Sequence, residues 1–267
     1  IDRLVYRFDG LGYLNGYKHL FVVPSEGGTA RQLTSGRFNF VFYLGGQSVW
    51  SQDSKYVYVS TNLEKNWESV GWEESDIYQV DVISGKMDRL TDRDGPDQYP
   101  SPSPDGKYLA YTGYDDNKMA VNVAELYVLN RKTNKTKKIN LKLDRSIGNL
   151  ITPPTLTWSK DGKNIYITYD DQGNTKLARA MLDGKLKVIA HNIGGVAAFG
   201  MGAYGGGSYT MSSNGNYVHT YSRPDVPSEL AVGNIKGGKP KVITSINEDI
   251  LTGKELGKVE EIWYKSS

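Results

Sequence analysis

The sequence predicts an all-β chain built from repeated four-stranded sheets, a β-propeller. Three observations predict it: a hairpin motif that recurs about every fifty residues, two further strand motifs in phase with it, and a composition of 19 tyrosines and 30 glycines in 267 residues. Tyrosine favours pleated, half-buried surfaces and glycine supplies turns. The hairpin reads Trp50-Ser-Gln-Asp-Ser-Lys-Tyr-Val-Tyr-Val, Pro102-Ser-Pro-Asp-Gly-Lys-Tyr-Leu-Ala-Tyr, Trp158-Ser-Lys-Asp-Gly-Lys-Asn-Ile-Tyr-Ile and Met211-Ser-Ser-Asn-Gly-Asn-Tyr-Val-His-Thr. Its turn residues Asp53, Asp105, Asp161 and Asn214 are spaced by 52, 56 and 53 residues. Asp-Gly supplies the positive φ of a tight turn, and the Asp side chain bonds the turn's own backbone.

Each unit then continues in the same order. An apolar strand follows the turn, as in Lys107 to Thr112. The third strand begins at His19-Leu-Phe-Val-Val, Asp76-Ile-Tyr-Gln-Val, Glu125-Leu-Tyr-Val-Leu, Lys176-Leu-Ala-Arg-Ala and Glu229-Leu-Ala-Val-Gly. The closing strand carries Arg31-Gln-Leu-Thr34, Asp88-Arg-Leu-Thr91, Lys137-Lys-Ile-Asn140, Lys187-Val-Ile-Ala190 and Lys241-Val-Ile-Thr244. Lysines crowd this strand (Lys135, Lys137, Lys138), as charges on an outer edge that discourage pairing with other chains. A unit of this size cannot bury both faces alone, so units stack radially. The propeller is expected over 1–258, with blades at roughly 1–34, 40–91, 98–140, 150–190 and 195–245 and a lone strand over 259–267. About five blades are visible, and the first lacks its opening hairpin. Either the spare strand completes the first blade, or the chain is an excised part of a larger propeller. Asn247-Glu-Asp-Ile-Leu is the one helical turn expected, capped by Asn247.

Bulk properties exclude several functions. Net charge is +2, from 32 basic and 30 acidic residues, so no nucleic-acid partner is indicated. No cysteine is present, which excludes disulfides, thiolate catalysis and Cys-ligated metal. No apolar run approaches the ~18 residues of a membrane span. Asp2, Arg3, Arg7 and Asp9 interrupt any apolar stretch, so the first residues do not read as a signal peptide.

The Ser-Pro-Asp-Gly-Lys hairpin, the Glu-Leu-Tyr-Val strand and the Arg-Leu-Thr strand together resemble the propeller of prolyl-oligopeptidase-type serine peptidases and the TolB-like propellers. The ends favour the former. Leu4-Val-Tyr-Arg-Phe-Asp-Gly-Leu-Gly-Tyr before His19 resembles a mid-propeller blade of acylaminoacyl- and dipeptidyl-peptidase-like members. Leu256-Gly-Lys-Val-Glu-Glu-Ile-Trp-Tyr-Lys-Ser-Ser267 resembles the segment entering the α/β-hydrolase domain. The resemblance implies that the catalytic Ser, Asp and His belong to that separate domain of the same parent chain, with a peptide as substrate. It also implies a periplasmic or extracellular location, with the cytoplasm as the alternative.

Within the chain, apparent catalytic motifs are better explained as turns. Gly200-Met-Gly202-Ala-Tyr-Gly205 fits the G-x-G-x-x-G pattern, and Gly206-Gly207-Ser208-Tyr209 imitates a nucleophile elbow. Neither opens a helix, and Thr210 stands where the elbow needs Gly, so both are assigned to the blade crossing. The three histidines, His19, His191 and His219, are expected to be packed or surface residues. Asp92-Arg-Asp94-Gly-Pro-Asp97 imitates a calcium loop, but Ser103 occupies the position that needs Glu, so turn acids are expected. Asp115-Asp116 and Asp170-Asp171 read as turn acids in matching loops. No catalytic residue, metal ligand or cofactor is assigned.

The least regular insert, Asn62 to Ser75, carries Trp67, Trp72, Glu73 and Glu74. These four are the candidate substrate-binding residues: carboxylates can meet a peptide's amino terminus and indoles can pack on its side chains. The sequence therefore points to a non-catalytic propeller that gates peptide access to a hydrolase domain. The alternative is a stand-alone TolB-like propeller that binds a protein partner. A third reading, an enzyme acting on a small ligand or sugar in the propeller channel, would need a converging polar cluster.

Overall fold

A computed structural model describes residues 16–38, 48–63, 74–115, 122–148, 154–195 and 206–265. The chain divides into two compact units, Ile1–Asn140 and Leu141–Ser267.

The first unit holds a two-stranded sheet and two four-stranded sheets. β1 (Phe21–Val22) pairs with β2 (Arg31–Gln32). β3 (Val49–Trp50), β4 (Tyr56–Thr61), β5 (Asp76–Asp81) and β6 (Met87–Arg89) form an antiparallel meander. β7 (Asp97–Pro102), β8 (Tyr108–Gly113), β9 (Glu125–Asn130) and β10 (Lys135–Ile139) form the next. The second unit repeats the plan twice. β11 (Thr157–Trp158), β12 (Asn164–Asp171), β13 (Asn174–Met181) and β14 (Leu186–Ala190) make one sheet. β15 (Tyr209–Met211), β16 (Asn216–Arg223), β17 (Val226–Asn234) and β18 (Lys241–Val242) make the other.

The repeated motif is a hydrogen-bonded lock. Ser51 Oγ donates to Asp53 Oδ1 at 2.7 Å and accepts from Tyr56 N at 3.0 Å, while Lys55 N donates to Asp53 Oδ1 at 3.2 Å. The same three bonds recur around Ser103 (2.7, 3.0 and 3.1 Å) and Ser159 (2.6, 2.9 and 3.1 Å). Gly106, Gly162 and Gly215 take φ of +68°, +67° and +86° in these turns. The closing-strand threonine has its own task. Its hydroxyl accepts a third-strand amide: Leu20 N to Thr34 (3.0 Å), Ile77 N to Thr91 (2.9 Å) and Leu230 N to Thr244 (2.8 Å).

Central strands bury both faces. In β4, Val57 and Val59 join Leu33, Tyr78 and Val80 on one side, while Tyr58 joins Ile77, Leu109, Tyr111, Tyr127 and Leu129 on the other. Residues of successive parity therefore face different sheets, and the strand reads as a near-continuous apolar run. In the second unit, Tyr166, Leu177, Ala190 and Ile193 meet Tyr209 and Tyr217 of the last sheet.

One expectation is corrected, and a second finds no partner among the described residues. The helical turn exists as α1 (Glu248–Leu251), but Asn247 makes no side-chain cap. Its amide group is drawn away instead, donating to Ser228 O and Glu229 Oε1, both at 3.1 Å. Val259 to Lys265 forms no strand among the described residues. Ile262, Trp263 and Tyr264 are exposed. A strand exists through its ladder, and no described residue pairs with this segment; residues 1–15 of the first blade, its expected partner, lie outside the described residues.

One turn carries Ser54 where its counterparts carry glycine, at φ +58°. A left-handed non-glycine residue costs about 1–2 kcal/mol, partly offset by glycine's greater unfolded-state entropy. Ser54→Gly is expected to stabilise the chain by about 0.5 kcal/mol in urea unfolding. A lower midpoint in the variant would show that the turn is not strained.

Candidate functional site

The insert over 62–75 ends against a strap, residues 90–96, that joins β6 to β7. Backbone bonds lay the strap along the start of β5: Leu90 N to Ile77 O at 2.8 Å and Asp97 N to Ser75 O at 2.7 Å. Ser60 Oγ adds a bond to Asp97 O at 2.6 Å. This seating brings together acids and arginines from positions far apart in sequence.

Asp97 is fully buried. Its Oδ1 receives Arg93 Nε at 3.0 Å and Nη2 at 2.7 Å. Arg93 Nη1 reaches Asp115 Oδ1 at 2.5 Å, and its guanidinium lies 3.9 Å from the Tyr127 ring centroid. Arg93 is thus held by charge on two sides and by an aromatic face. Asp76, also buried, pairs with Arg89 Nη2 at 2.6 Å. Glu74 Oε2 accepts from Gly95 N at 2.9 Å. Asp76 Oδ1 and Asp97 Oδ2 are buried without a hydrogen-bond partner among the described residues. Gly113 has no room for a side chain: a Cβ there would lie 2.7 Å from Arg93 Nη2 and 2.8 Å from Asp97 Oδ1.

The electrostatics follow from this crowding. Burial drives the Asp76 carboxyl up to about 7; Arg89 opposes the rise, while Glu74 and Asp97 add to it. Burial also raises Asp97 against the pull of Arg93, and raises Glu74 against its bond from Gly95. An open cavity of about 360 Å³ lies beside the strap, lined by Arg89, Leu90, Thr91, Asp92, Arg93, Asn134 and Thr136. Its lining suits a small polar group better than an apolar side chain.

Of the candidate residues, Glu74 belongs to this cluster, whereas Trp67, Trp72 and Glu73 lie outside the described residues. Sequence reasoning missed Asp76, Arg93 and Asp97 as one assembly. Asp97 was expected to be a turn acid; it opens β7 as a buried ion-pair partner, because the strap turns it inward. The signal available was the acid heading the third strand at Asp76, Glu125 and Glu229. Glu125 pairs with Lys138, and Glu229 accepts from Thr244 Oγ1.

The serine motif is structural in its bonding. Ser208 N donates to Thr220 Oγ1 and Ser208 O accepts Thr220 N, both at 3.0 Å. A Cβ on Gly207 would meet Thr220 Oγ1 at 2.4 Å and Gly194 N at 2.5 Å. Residues 200–205 lie outside the described residues. His19 contacts Thr34 Oγ1 at 3.3 Å, His191 is exposed, and His219 is buried with Nδ1 2.7 Å from Thr220 O. Asp115 pairs with Arg93, while Asp170 accepts Thr175 Oγ1 and Asp171 pairs with Lys176, each at 2.5 Å. Asp116 lies outside the described residues. Among the described residues, no three histidine or carboxylate side chains converge as a metal-binding group.

Four-stranded meanders repeated along the chain, each stacked on a neighbour within its unit, settle the architecture. The chain is a β-propeller. No family model matches it. The propeller is 25% identical over 237 residues to dipeptidyl-peptidase 5 of Porphyromonas gingivalis, covering 87% of the chain and 31% of that protein. It therefore spans about a third of this relative's length. Among solved structures, TolB from Acinetobacter baumannii matches with a TM-score of 0.56 at 19% identity, over 85% of the propeller chain and 48% of TolB. A puromycin hydrolase matches with a TM-score of 0.57 at 16% identity, over 85% of the propeller chain and 35% of the hydrolase. These structures share the fold. Among the described residues, no helix is long and apolar enough to cross a membrane.

Folded Asp76 keeps its proton to about pH 7, whereas the unfolded chain releases it near the ordinary 3.8. The folded state then binds more protons between these values, so this group's contribution to stability declines as pH rises from 3.8 towards 7. Urea unfolding across that range should show a shallower decline in Asp76→Asn than in the parent. Equal slopes would remove Asp76 from the account. Separately, Arg93→Ala should lose about 3–5 kcal/mol, since it leaves Asp97 buried and unpaired.

Proposed function

We propose that the chain is the non-catalytic propeller portion of a prolyl-oligopeptidase-type serine peptidase. It would restrict peptide access to an α/β-hydrolase domain of the same parent chain. The observation that carries this reading is the similarity to a dipeptidyl-peptidase along most of the chain, at a third of that protein's length. The strand-bound setting of Ser208 and His219 supports it, since neither is arranged for acyl transfer. In this reading the chemistry lies elsewhere and the propeller admits or excludes substrate.

The insert is the proposed contact with the peptide. Trp67 and Trp72 would pack on side chains, and Glu73 and Glu74 would receive the amino terminus. The strap supports this role by fixing the insert's end through Glu74 on Gly95, next to the pair that Asp76 of β5 makes with Arg89 of β6. A periplasmic or extracellular location belongs to the same proposal.

The test compares this chain with its full parent protein on chromogenic dipeptidyl substrates. The parent should hydrolyse them and this chain should not. In the parent, Trp67→Ala and Glu73→Gln should raise KM about tenfold, a binding loss near 1.4 kcal/mol, with little change in kcat. Hydrolysis by this chain alone, or a reading frame that stops at Ser267, would overturn the proposal and favour a protein-binding propeller.

A further inference from the structure

We propose that Asn214–Gly215 is a site of spontaneous modification, at which the Asn214 side-chain amide is lost and an aspartate forms in the turn. The inference is independent of the peptidase reading. Asn214 stands where the other three hairpins carry Asp53, Asp105 and Asp161. It makes two of their three bonds: Ser212 Oγ donates to Asn214 Oδ1 at 2.5 Å and Asn216 N donates to it at 3.2 Å, while the same hydroxyl also lies 3.0 Å from Asn216 O. Both donors converge on the side-chain carbonyl oxygen. They polarise Cγ and stabilise the negative charge that develops on Oδ1 when a nucleophile adds. The nucleophile is the next backbone nitrogen, and Gly215 has no side chain to obstruct it. Asn214 is exposed, so water reaches the site.

The reaction balances with water as co-reactant. Gly215 N releases its bond to Ser212 O (3.0 Å), loses its proton to base and attacks Asn214 Cγ. The new N–Cγ bond forms, the Cγ–Nδ2 bond breaks, and Nδ2 leaves as ammonia with a proton returned from solvent. The succinimide then takes up one water. Opening at Cγ restores the peptide bond and leaves aspartate; opening at the Asn214 carbonyl carbon gives isoaspartate. The turn suits the first product. A carboxylate at 214 would accept the same two donors with charge, as Asp105 does from Ser103 and Lys107. Isoaspartate lengthens the main chain by a methylene, and the lock then cannot close.

The chain contains its own controls. Asn134 and Asn192 differ from Asn214 in holding positive φ, at +54° and +58°, and in being followed by Lys135 and Ile193, whose side chains hinder the attack. Asn15–Gly16 is a second Asn-Gly pair, with Asn15 outside the described residues.

The test incubates the folded chain in mildly alkaline buffer and follows peptide masses with time. The amide-to-acid mass gain should accumulate at 214, rise with pH, and stay absent at 134 and 192. Asn214→Asp should show no gain in that peptide and should melt about 2 °C higher. A Gly215→Ala change would strain the turn, since its Cβ would meet Ile235 Cγ1 at 2.7 Å. Ser212→Ala is the better probe and should slow the gain severalfold by removing one polarising donor. The proposal is overturned if the folded chain stays unmodified at 214 while the unfolded chain reacts. It is also overturned if Ser212→Ala leaves the rate unchanged or raises it.

Discussion

The structure depends on the serine lock at the head of three of its four repeated hairpins. One hydroxyl donates to an acid two residues on and accepts an amide five residues on, as Ser51, Ser103 and Ser159 do. This sets the register of the first two strands. A slip of one residue would exchange the faces of β4, sending Tyr58 to the side that holds Val57 and Val59. Both faces are buried, so either exchange is penalised. Register, two-sided burial and stacking of neighbouring sheets are thus consequences of one small polar turn.

The strap over 90–96 shows what the stacking makes possible. It joins an outer strand to the next inner strand, and its backbone bonds leave little freedom. Charged side chains carried on it enter a crowded space between sheets. Arg93 pairs there with Asp97 through Oδ1 alone, and Gly113 yields the room they need. Glu74 at the insert's end meets the strap at Gly95, and Asp76 of β5 pairs with Arg89 at the end of β6, just before it. A loop on the surface is thereby fastened to the core by carboxylates whose protonation depends on burial.

Much of the fold was legible in the sequence because its signals are local. The turn acid, the glycine after it and the alternating aromatic strand lie within ten residues of one another. The closing threonine was legible as a repeat, though its hydrogen bond to the third strand was not. The acid cluster was hidden for a physical reason: Asp76, Arg93, Asp97 and Asp115 meet through sheet stacking, which leaves no spacing to read. Local propensity misled at Asn247, where a capping residue was taken by Ser228 and Glu229. The candidate residues of the insert carry no motif beyond composition, so any role for them rests on the proposal.

Tyr209 carries one more lesson. Its hydroxyl lies 2.9, 3.1 and 2.8 Å from Thr155 O, Thr157 Oγ1 and Tyr166 O, so it donates its one proton to a carbonyl of the preceding sheet or its lead-in and can accept from Thr157. A phenol so placed is a rivet between two elements that otherwise meet through oil. Opening the last sheet would take this shared polar partner from its neighbour, so the two must breathe together. In a modular array this sets a correlation length: disturbance at one blade is felt at the next before either has lost its own strands.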